Sequence, residues 1–504
     1  MGLNNAIRAA IVLAIVGVLE LVCRLKLVPP GFLVPPTAMV DELWTLMQTS
    51  GFWSQVGISA RSIVTALAMA VLVGSTVAVL LYRMPRLRKA LDPLISSYYA
   101  LPIFVLYPVF VVVMGMNQGP IILIGFLLAV MAMIVSTLAG LDRIPGVYTR
   151  VGRVLHLSPI QQAIRISLPA AAPHAFTGTK LAFGYAFTGV LGSEFIMADK
   201  GYGYTLSFAY NNFEDRKMYA LLLFLLIVVS VLTWVIFKVE SRVKHRASSA
   251  KSRVEPVEVS AISKVAATGA VVFALGVVWQ LVHMRVGDAA LAGPAGTLVH
   301  LAGLLGTAAF WEHISETARA LFLALLISCG VGALVGLLIG LSRRASDVGA
   351  PMLITLSAMP KVTLYPIILL FAGIGMGAKV TFGVLHGVIP MMIIAMGAIQ
   401  SMHPNLLRTA RVLRLSKAQT LGTIVLPAVV PEIVTGIRIS FSITVLGVMV
   451  GEMFASSRGL GFLIMNGINV NDTSTMMAVT ILIGVFAVTI NSLLLALEHK
   501  VHRH

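Results

Sequence analysis

The amino-acid sequence predicts an all-α integral membrane protein. It has two tandem six-helix domains, about 12 transmembrane helices, related by a pseudo-two-fold axis along the membrane normal. Three observations predict this: sparse charge, recurrent apolar runs of bilayer length, and a repeat that lays the second half on the first. Only 11% of the 504 residues are charged, 58% are hydrophobic, and the mean hydropathy is +0.94. Soluble globular domains carry about a quarter charged residues, so a soluble core of this size is excluded. Runs such as 221–237 and 478–497 suit a helix crossing the hydrocarbon layer.

The repeat holds one register. Leu168-Pro169 returns as Leu426-Pro427, an offset of 258 residues. The same offset maps Pro173 to Pro431, Thr177-Gly178 to Thr435-Gly436, Glu194 to Glu452, and Gly201 and Gly203 to Gly459 and Gly461. Upstream it maps Tyr107-Pro108 to Tyr365-Pro366, Pro102 to Pro360, Arg61 to Arg319 and Phe52-Trp53 to Phe310-Trp311. No gap is needed from about Pro36 to Gly203, so the chain is a tandem duplication or a fusion of two related proteins. The expected division is a first membrane domain at 1–240, a linker at 241–264 and a second membrane domain at 265–504. The linker is rich in Ser, Lys, Arg and Glu and has no apolar period.

Each half holds six apolar segments. In the first half they are 6–22, 58–82, 94–115, 119–141, 171–196 and 218–238. In the second they are 262–283, 315–341, 353–374, 378–399, 429–454 and 476–497. The first is read as a retained helix, because Cys23-Arg24-Leu25-Lys26 follows it and no small-residue cleavage site does. The second segment of the second half carries Gly332, Gly336 and Gly340, a small-residue stripe suited to helix packing. The third segments contain Pro102 and Pro360, which either kink a pore-lining helix or end one at a loop. The fifth carry Lys180 and Arg438, expected to snorkel or pair, and Glu194 and Glu452 near their outer ends. An acidic residue in a membrane helix suggests function, and a hydrogen-bonded Glu holding the next loop is the structural alternative. Six crossings return each half to its starting side, so the repeats are parallel. Cys23 and Cys329 support neither a disulfide framework nor a cysteine metal site.

The net charge of +17 would suggest nucleic acid in a soluble protein. With the N-terminus in the cytoplasm, however, 24 of the 37 basic residues fall in cytoplasmic loops, the linker and the termini. The positive-inside rule then accounts for the charge. The reading is a multi-pass protein of the cell inner membrane, N-in and C-in, with lipid and not nucleic acid as its surroundings.

Two cytoplasmic loops join the fourth and fifth segments. One runs from Leu141 to Ala170 and the other from Ile399 to Ala428, and each joins a basic, amphipathic stretch to a terminal Leu-Pro. In the second copy Leu406, Leu407, Ala410, Leu413 and Leu421 recur near helical spacing, with Arg408, Arg411 and Arg414 on another face. A basic amphipathic loop lying on anionic lipid is the alternative.

These loops resemble the "EAA" loop of ABC importer permeases: Glu-Ala-Ala, three residues, Gly, nine residues, Ile, one residue, Leu-Pro. Ile166-Ser167-Leu168-Pro169 and Ile424-Val425-Leu426-Pro427 match its ending. The spacing puts Arg150, Val151, Gly152 and His156 on the Glu-Ala-Ala and Gly of the pattern, and Arg408, Thr409, Ala410 and Arg414 on the second copy's. The Glu and the Gly are thus replaced in both halves. The stretches 191–205 and 448–463, with Pro431 to Ile443 and Pro35-Pro36-Thr37, are similar to signatures of the nitrate/sulfonate/taurine permease group.

In that family two permease domains pair, and each loop docks a short helix in a groove of an ATPase subunit. The resemblance therefore implies a permease subunit that imports a small solute such as nitrate, a sulfonate or taurine. Its partners would be two ATP-binding-cassette subunits and an extracytoplasmic solute-binding protein, and no cofactor is called for. The coupling residues would be Arg150, Arg153, Leu155, His156 and Ser158, with Arg408, Arg411, Leu413, Arg414 and Ser416. Leu155 and Leu413 would fill the groove, and Arg153 and Arg411 would meet an acidic rim. Glu194, Glu452, Pro102 and Pro360 are the candidates for translocation or gating. The sequence has no HExxH, GxSxG or phosphate-binding loop, and Lys379 follows glycines without the Gly-Lys-Ser/Thr ending. ATP hydrolysis is thus assigned to partner subunits. The competing function is an ion-coupled secondary transporter of two six-helix halves, a class that ordinarily needs buried carboxylates near the midplane.

Overall fold

The computed structural model describes residues 2–28, 33–98, 103–142, 144, 154–162, 165–166, 168–244, 261–288, 291–358, 361–402, 405–406, 408 and 412–501. Among the expected site residues, Pro102, Arg150, Arg153, Pro360 and Arg411 lie outside these, as does most of the linker.

In the first half α1 (Gly2–Arg24), α2 (Pro36–Met47), α3 (Ser50–Arg83) and α4 (Pro85–Ser97) come first. A 3₁₀ turn (Ile103–Leu106), α5 (Tyr107–Met114) and α6 (Gln118–Leu141) follow. Then come α7 (Pro159–Gln162), α8 (Leu168–Met197), α9 (Tyr202–Asn211) and α10 (Asp215–Lys244). The second half repeats the order: α11 (Ala261–Val286), α12 (Pro294–Leu305), α13 (Ala308–Gly340), α14 (Arg343–Ala358), a 3₁₀ turn (Lys361–Leu364), α15 (Tyr365–Ala372) and α16 (Met376–Ser401). It ends with α17 (Lys417–Thr420), a π turn (Leu421–Val425), α18 (Leu426–Ala455), α19 (Leu460–Asn469) and α20 (Thr473–Val501). Eight helices among the described residues are long and apolar enough to span a membrane by themselves.

The third crossing of each half departs from the expected single helix. It consists of α4 or α14, a 3₁₀ turn, and then α5 or α15. Proline lacks an N–H and cannot continue a helix interior, but it suits a first turn. Pro108 and Pro366 therefore open the second pieces, which end at Gly115 (φ 82) and Gly373 (φ 67) in left-handed caps. Four short helices add to the expected set. Pro36 and Pro294 start two of them, and Gly201 and Gly459 precede the other two. Trp53 Nε1 donates to Met47 O at 2.7 Å and Trp311 Nε1 to Leu305 O at 2.9 Å, so the same indole ties the same helices in both halves.

Within each half the fourth crossing is central. Helix α6 packs between α3 and α8, and α16 between α13 and α18. The glycine stripe serves that packing: a Cβ on Gly332 would lie 2.7 Å from Met391 Cβ, and one on Gly336 would lie 2.5 Å from Met392 O. The expected pairing of Arg438 is present, with Nε 2.5 Å from Glu498 Oε2. The halves are joined by exchange. Helix α4 packs on α11 and α20 of the other half, and α14 packs on α1 and α10. The repeat in sequence is thus a pseudo-symmetric embrace in space.

Candidate functional site

The two loops that join the fourth and fifth crossings repeat one local structure. Val154-Leu155-His156-Leu157-Ser158 and Val412-Leu413-Arg414-Leu415-Ser416 differ only at the central residue. Ser158 N–H donates to Gln161 Oε1 at 3.0 Å, and Gln161 N–H donates to Ser158 Oγ at 3.3 Å. Ser416 and Gln419 repeat the exchange at 2.9 and 3.2 Å. This is a reciprocal capping box, and it starts α7 and α17. The Ser158 and Ser416 hydroxyls are therefore engaged within their own loops.

The residue before the last leucine turns the chain. His156 and Arg414 both have φ of 49°, in the left-handed region that side chains disfavour. They occupy the place where the loop pattern has glycine, and the backbone shows why glycine suits it. The turn also corrects the expectation of one amphipathic stretch through Leu421. Leu413 lies before the turn, and Leu421 lies in the π turn after α17, so they do not share a helix face. The turn instead projects an apolar pair: Val154 and Leu155 are 76% and 60% exposed, Val412 and Leu413 81% and 62%. Arg408 and Arg414 are also exposed. Leu168 and Leu426 begin the fifth crossings, so Leu-Pro marks the helix start as expected.

At the C-terminal ends of those crossings Glu194 and Glu452 are fully buried. Glu194 Oε2 accepts from Ser59 Oγ at 2.6 Å and from Gly203 N–H at 3.0 Å, and Tyr202 N–H donates to Ser59 Oγ at 2.7 Å. Glu452 accepts from Thr317 Oγ1 and from Gly461 N–H, each at 2.9 Å, and Leu460 N–H donates to Thr317 Oγ1 at 2.8 Å. Each carboxyl satisfies one N–H at the start of the next short helix, and the hydroxyl that donates to it satisfies the N–H before. The glycines are needed for closeness: a Cβ on Gly201 would lie 2.4 Å from Glu194 Cδ, and one on Gly459 would lie 2.3 Å from Glu452 Cδ. Both also have positive φ, 108° and 122°. The Glu and Gly-x-Gly of the signature are thus one packed unit.

The halves differ in charge at this point. Lys379 is fully buried, with Nζ 3.0 Å from Glu316 Oε1, 3.9 Å from Glu452 Oε1, and donating to Arg458 O at 2.8 Å. The first half has Ile58 and Ile121 at the positions of Glu316 and Lys379, and Glu194 Oε1 has no partner among the described residues.

The family model of the binding-protein-dependent transport system inner membrane component matches residues 62–245 and again 330–503. The chain belongs to that family. It is an ABC importer permease of the nitrate, sulfonate and taurine group, and it carries the domain twice. It is 28% identical over 225 residues to a putative aliphatic sulfonates transport permease protein of Bacillus subtilis (strain 168), covering 82% of that protein and 44% of this chain. It is 30% identical over 193 residues to a taurine transport system permease protein of Escherichia coli (strain K12), covering 70% of that protein and 37% of this chain. It is 27% identical over 218 residues to a nitrate import permease protein of Leptolyngbya laminosa, covering 78% of that protein and 41% of this chain. Each relative thus matches less than half of this chain, as a duplicated permease requires.

Proposed function

We propose that this permease supplies both membrane halves of one importer from a single polypeptide and moves a small anion into the cytoplasm. Two separate ATPase subunits drive it, and an extracytoplasmic binding protein delivers the solute. The carrying observation is the pair of cytoplasmic loops. Each presents an exposed Val-Leu step beside basic residues, on a frame set by a left-handed turn and a capping box. An exposed apolar step on a rigid turn suits an anchor in a partner's groove, with charge at the rim.

Two such frames in one chain suit two ATPases acting as a pair. Orientation follows from the basic loops: N-in, C-in, in the inner membrane, with domains 1–240 and 265–504 joined by a cytoplasmic linker. The relatives' named solutes are aliphatic sulfonates, taurine, nitrate and bicarbonate, which supports a small oxyanion here. The purified chain alone should hydrolyse no ATP, and hydrolysis should require the ATPase encoded or purified with it. Robust hydrolysis by the isolated chain would overturn the division of labour.

A further inference from the structure

The seam between the halves has one asymmetry that the outer Glu units do not explain. The broken third crossings meet it through α4 and α14, and their two 3₁₀ turns stand 258 residues apart, at equivalent places of the repeat. The first-half turn begins with Ile103 and the second-half turn with Lys361. The Lys361 turn packs against α8 of the first half and against α16. Irregular backbone at membrane depth is tolerated where protein buries it or where it lines a polar cavity. Substrate sites in repeat transporters lie near the midplane, at the repeat interface, on discontinuous helices.

Depth supports that placement. The turn stands before the eight-residue α15, which runs roughly 12 Å from Tyr365 to its end at Gly373. On the outer side, Tyr365 closes the seam. Its ring centroid lies 6.1 Å from Phe195 and 5.5 Å from Tyr210 of the first half, and 6.0 Å from Phe382 and 5.4 Å from Phe454 of the second. Lys361 is one turn from Tyr365 toward the cytoplasm.

Lys361 also differs from Lys379 and Arg438 in charge balance. Lys379 and Arg438 are neutralised by Glu316 with Glu452 and by Glu498. Lys361 Nζ donates only to Ser357 O, at 3.1 Å, and pairs with no carboxylate among the described residues. Its side chain keeps part of its surface open. A lysine without a counter-ion at this depth is costly. The fold does not demand it, since isoleucine serves at the equivalent place in the first half.

We infer that Lys361 forms an anion-binding station in the translocation seam, inward of the aromatic closure, and that its ligand is a small monovalent oxyanion. Positive charge without a paired carboxylate favours a simple anion such as nitrate or an alkanesulfonate over a zwitterion. The inference rests on the import reading for its role, but binding can be measured without partners.

The test uses the full chain in lipid nanodiscs, titrated with sodium nitrate, sodium ethanesulfonate or taurine while thermal unfolding is followed. Wild type should be stabilised saturably by nitrate or ethanesulfonate and much less by taurine. Lys361→Arg should retain the response. Lys361→Ile, which copies Ile103, should fold and weaken the response roughly tenfold or more, as expected when a charge-assisted contact is lost. An unchanged response in Lys361→Ile, or no saturable response in wild type, would overturn the station. Failure of the import reading would show instead as a wild-type chain that never co-purifies with an ATPase, whatever its anion response.

Discussion

Replacing Gly459 by alanine should break the Glu452 and Gly-x-Gly unit of the second half. The new Cβ would lie 2.3 Å from Glu452 Cδ, at a φ of 122°. A side chain in left-handed backbone costs about 1–2 kcal/mol, and overpacking a tight site costs about 1–3 kcal/mol. Displacing the carboxylate also endangers its 2.9 Å bond from Gly461 N–H, and a bond to a charged group contributes about 1.5–3 kcal/mol. Together these reach several kcal/mol, a large share of a net stability of about 5–15 kcal/mol. Thermal unfolding of the full chain in nanodiscs reads the effect. Gly459→Ala should unfold well below wild type, and Gly201→Ala should behave alike, because its Cβ would lie 2.4 Å from Glu194 Cδ. Gly397 is the control: it is a helical glycine in α16 whose added Cβ would meet nothing within 4 Å, so it should tolerate alanine. If Gly459→Ala unfolds at the wild-type temperature, the Glu and Gly-x-Gly unit does not hold this region together.

Three further outcomes are expected. Lys379→Ile should destabilise the chain by about 3–5 kcal/mol, because Glu316 and Glu452 lose their buried cation; adding Glu316→Ile, which copies Ile58, should recover part of the loss in the same unfolding assay. Arg414→Gly should relieve about 1 kcal/mol of left-handed strain, read as slower amide exchange in 412–420; unchanged or faster exchange would mean the turn stores no strain. Protease added outside intact cells should leave the 241–264 linker uncut, and cleavage from that side would reverse the topology.

The architecture is legible in the sequence through its period and its repeat. The 258-residue offset places both halves in register, and the ends of most crossings agree closely with the helices found. The interruption of the third crossing is less legible. Pro108 and Pro366 signal a helix start, but the apolar run continues across the break, and hydropathy does not register backbone geometry. The capping boxes are readable as Ser-x-x-Gln at 158–161 and 416–419, although the family resemblance points the two serines toward partner contact. The left-handed turn is visible only indirectly, as His156 and Arg414 at the glycine position of the loop pattern. Glu316 and Lys379 are 63 residues apart, and no local pattern announces a pair made by tertiary packing. Lys361 is conspicuous only beside Ile103, a comparison that becomes informative once both are seen to open the 3₁₀ turns of the two broken crossings.

In the proposed importer, coupling to ATP hydrolysis turns on whether the two exposed Val-Leu steps hold the ATPase. Co-purification of the ATPase with wild type, Leu155→Asp and Leu413→Asp, alongside solute uptake, measures this. Both residues are well exposed, at 60% and 62%, so aspartate should leave folding and insertion intact. Removing a central apolar anchor from an interface costs about 2–4 kcal/mol. Leu413→Asp should therefore release the ATPase or uncouple uptake from hydrolysis, and Leu155→Asp should do the same to an equal or lesser degree. Full ATPase retention and full uptake in both variants would contradict the docking assignment and leave the loops as basic segments lying on lipid.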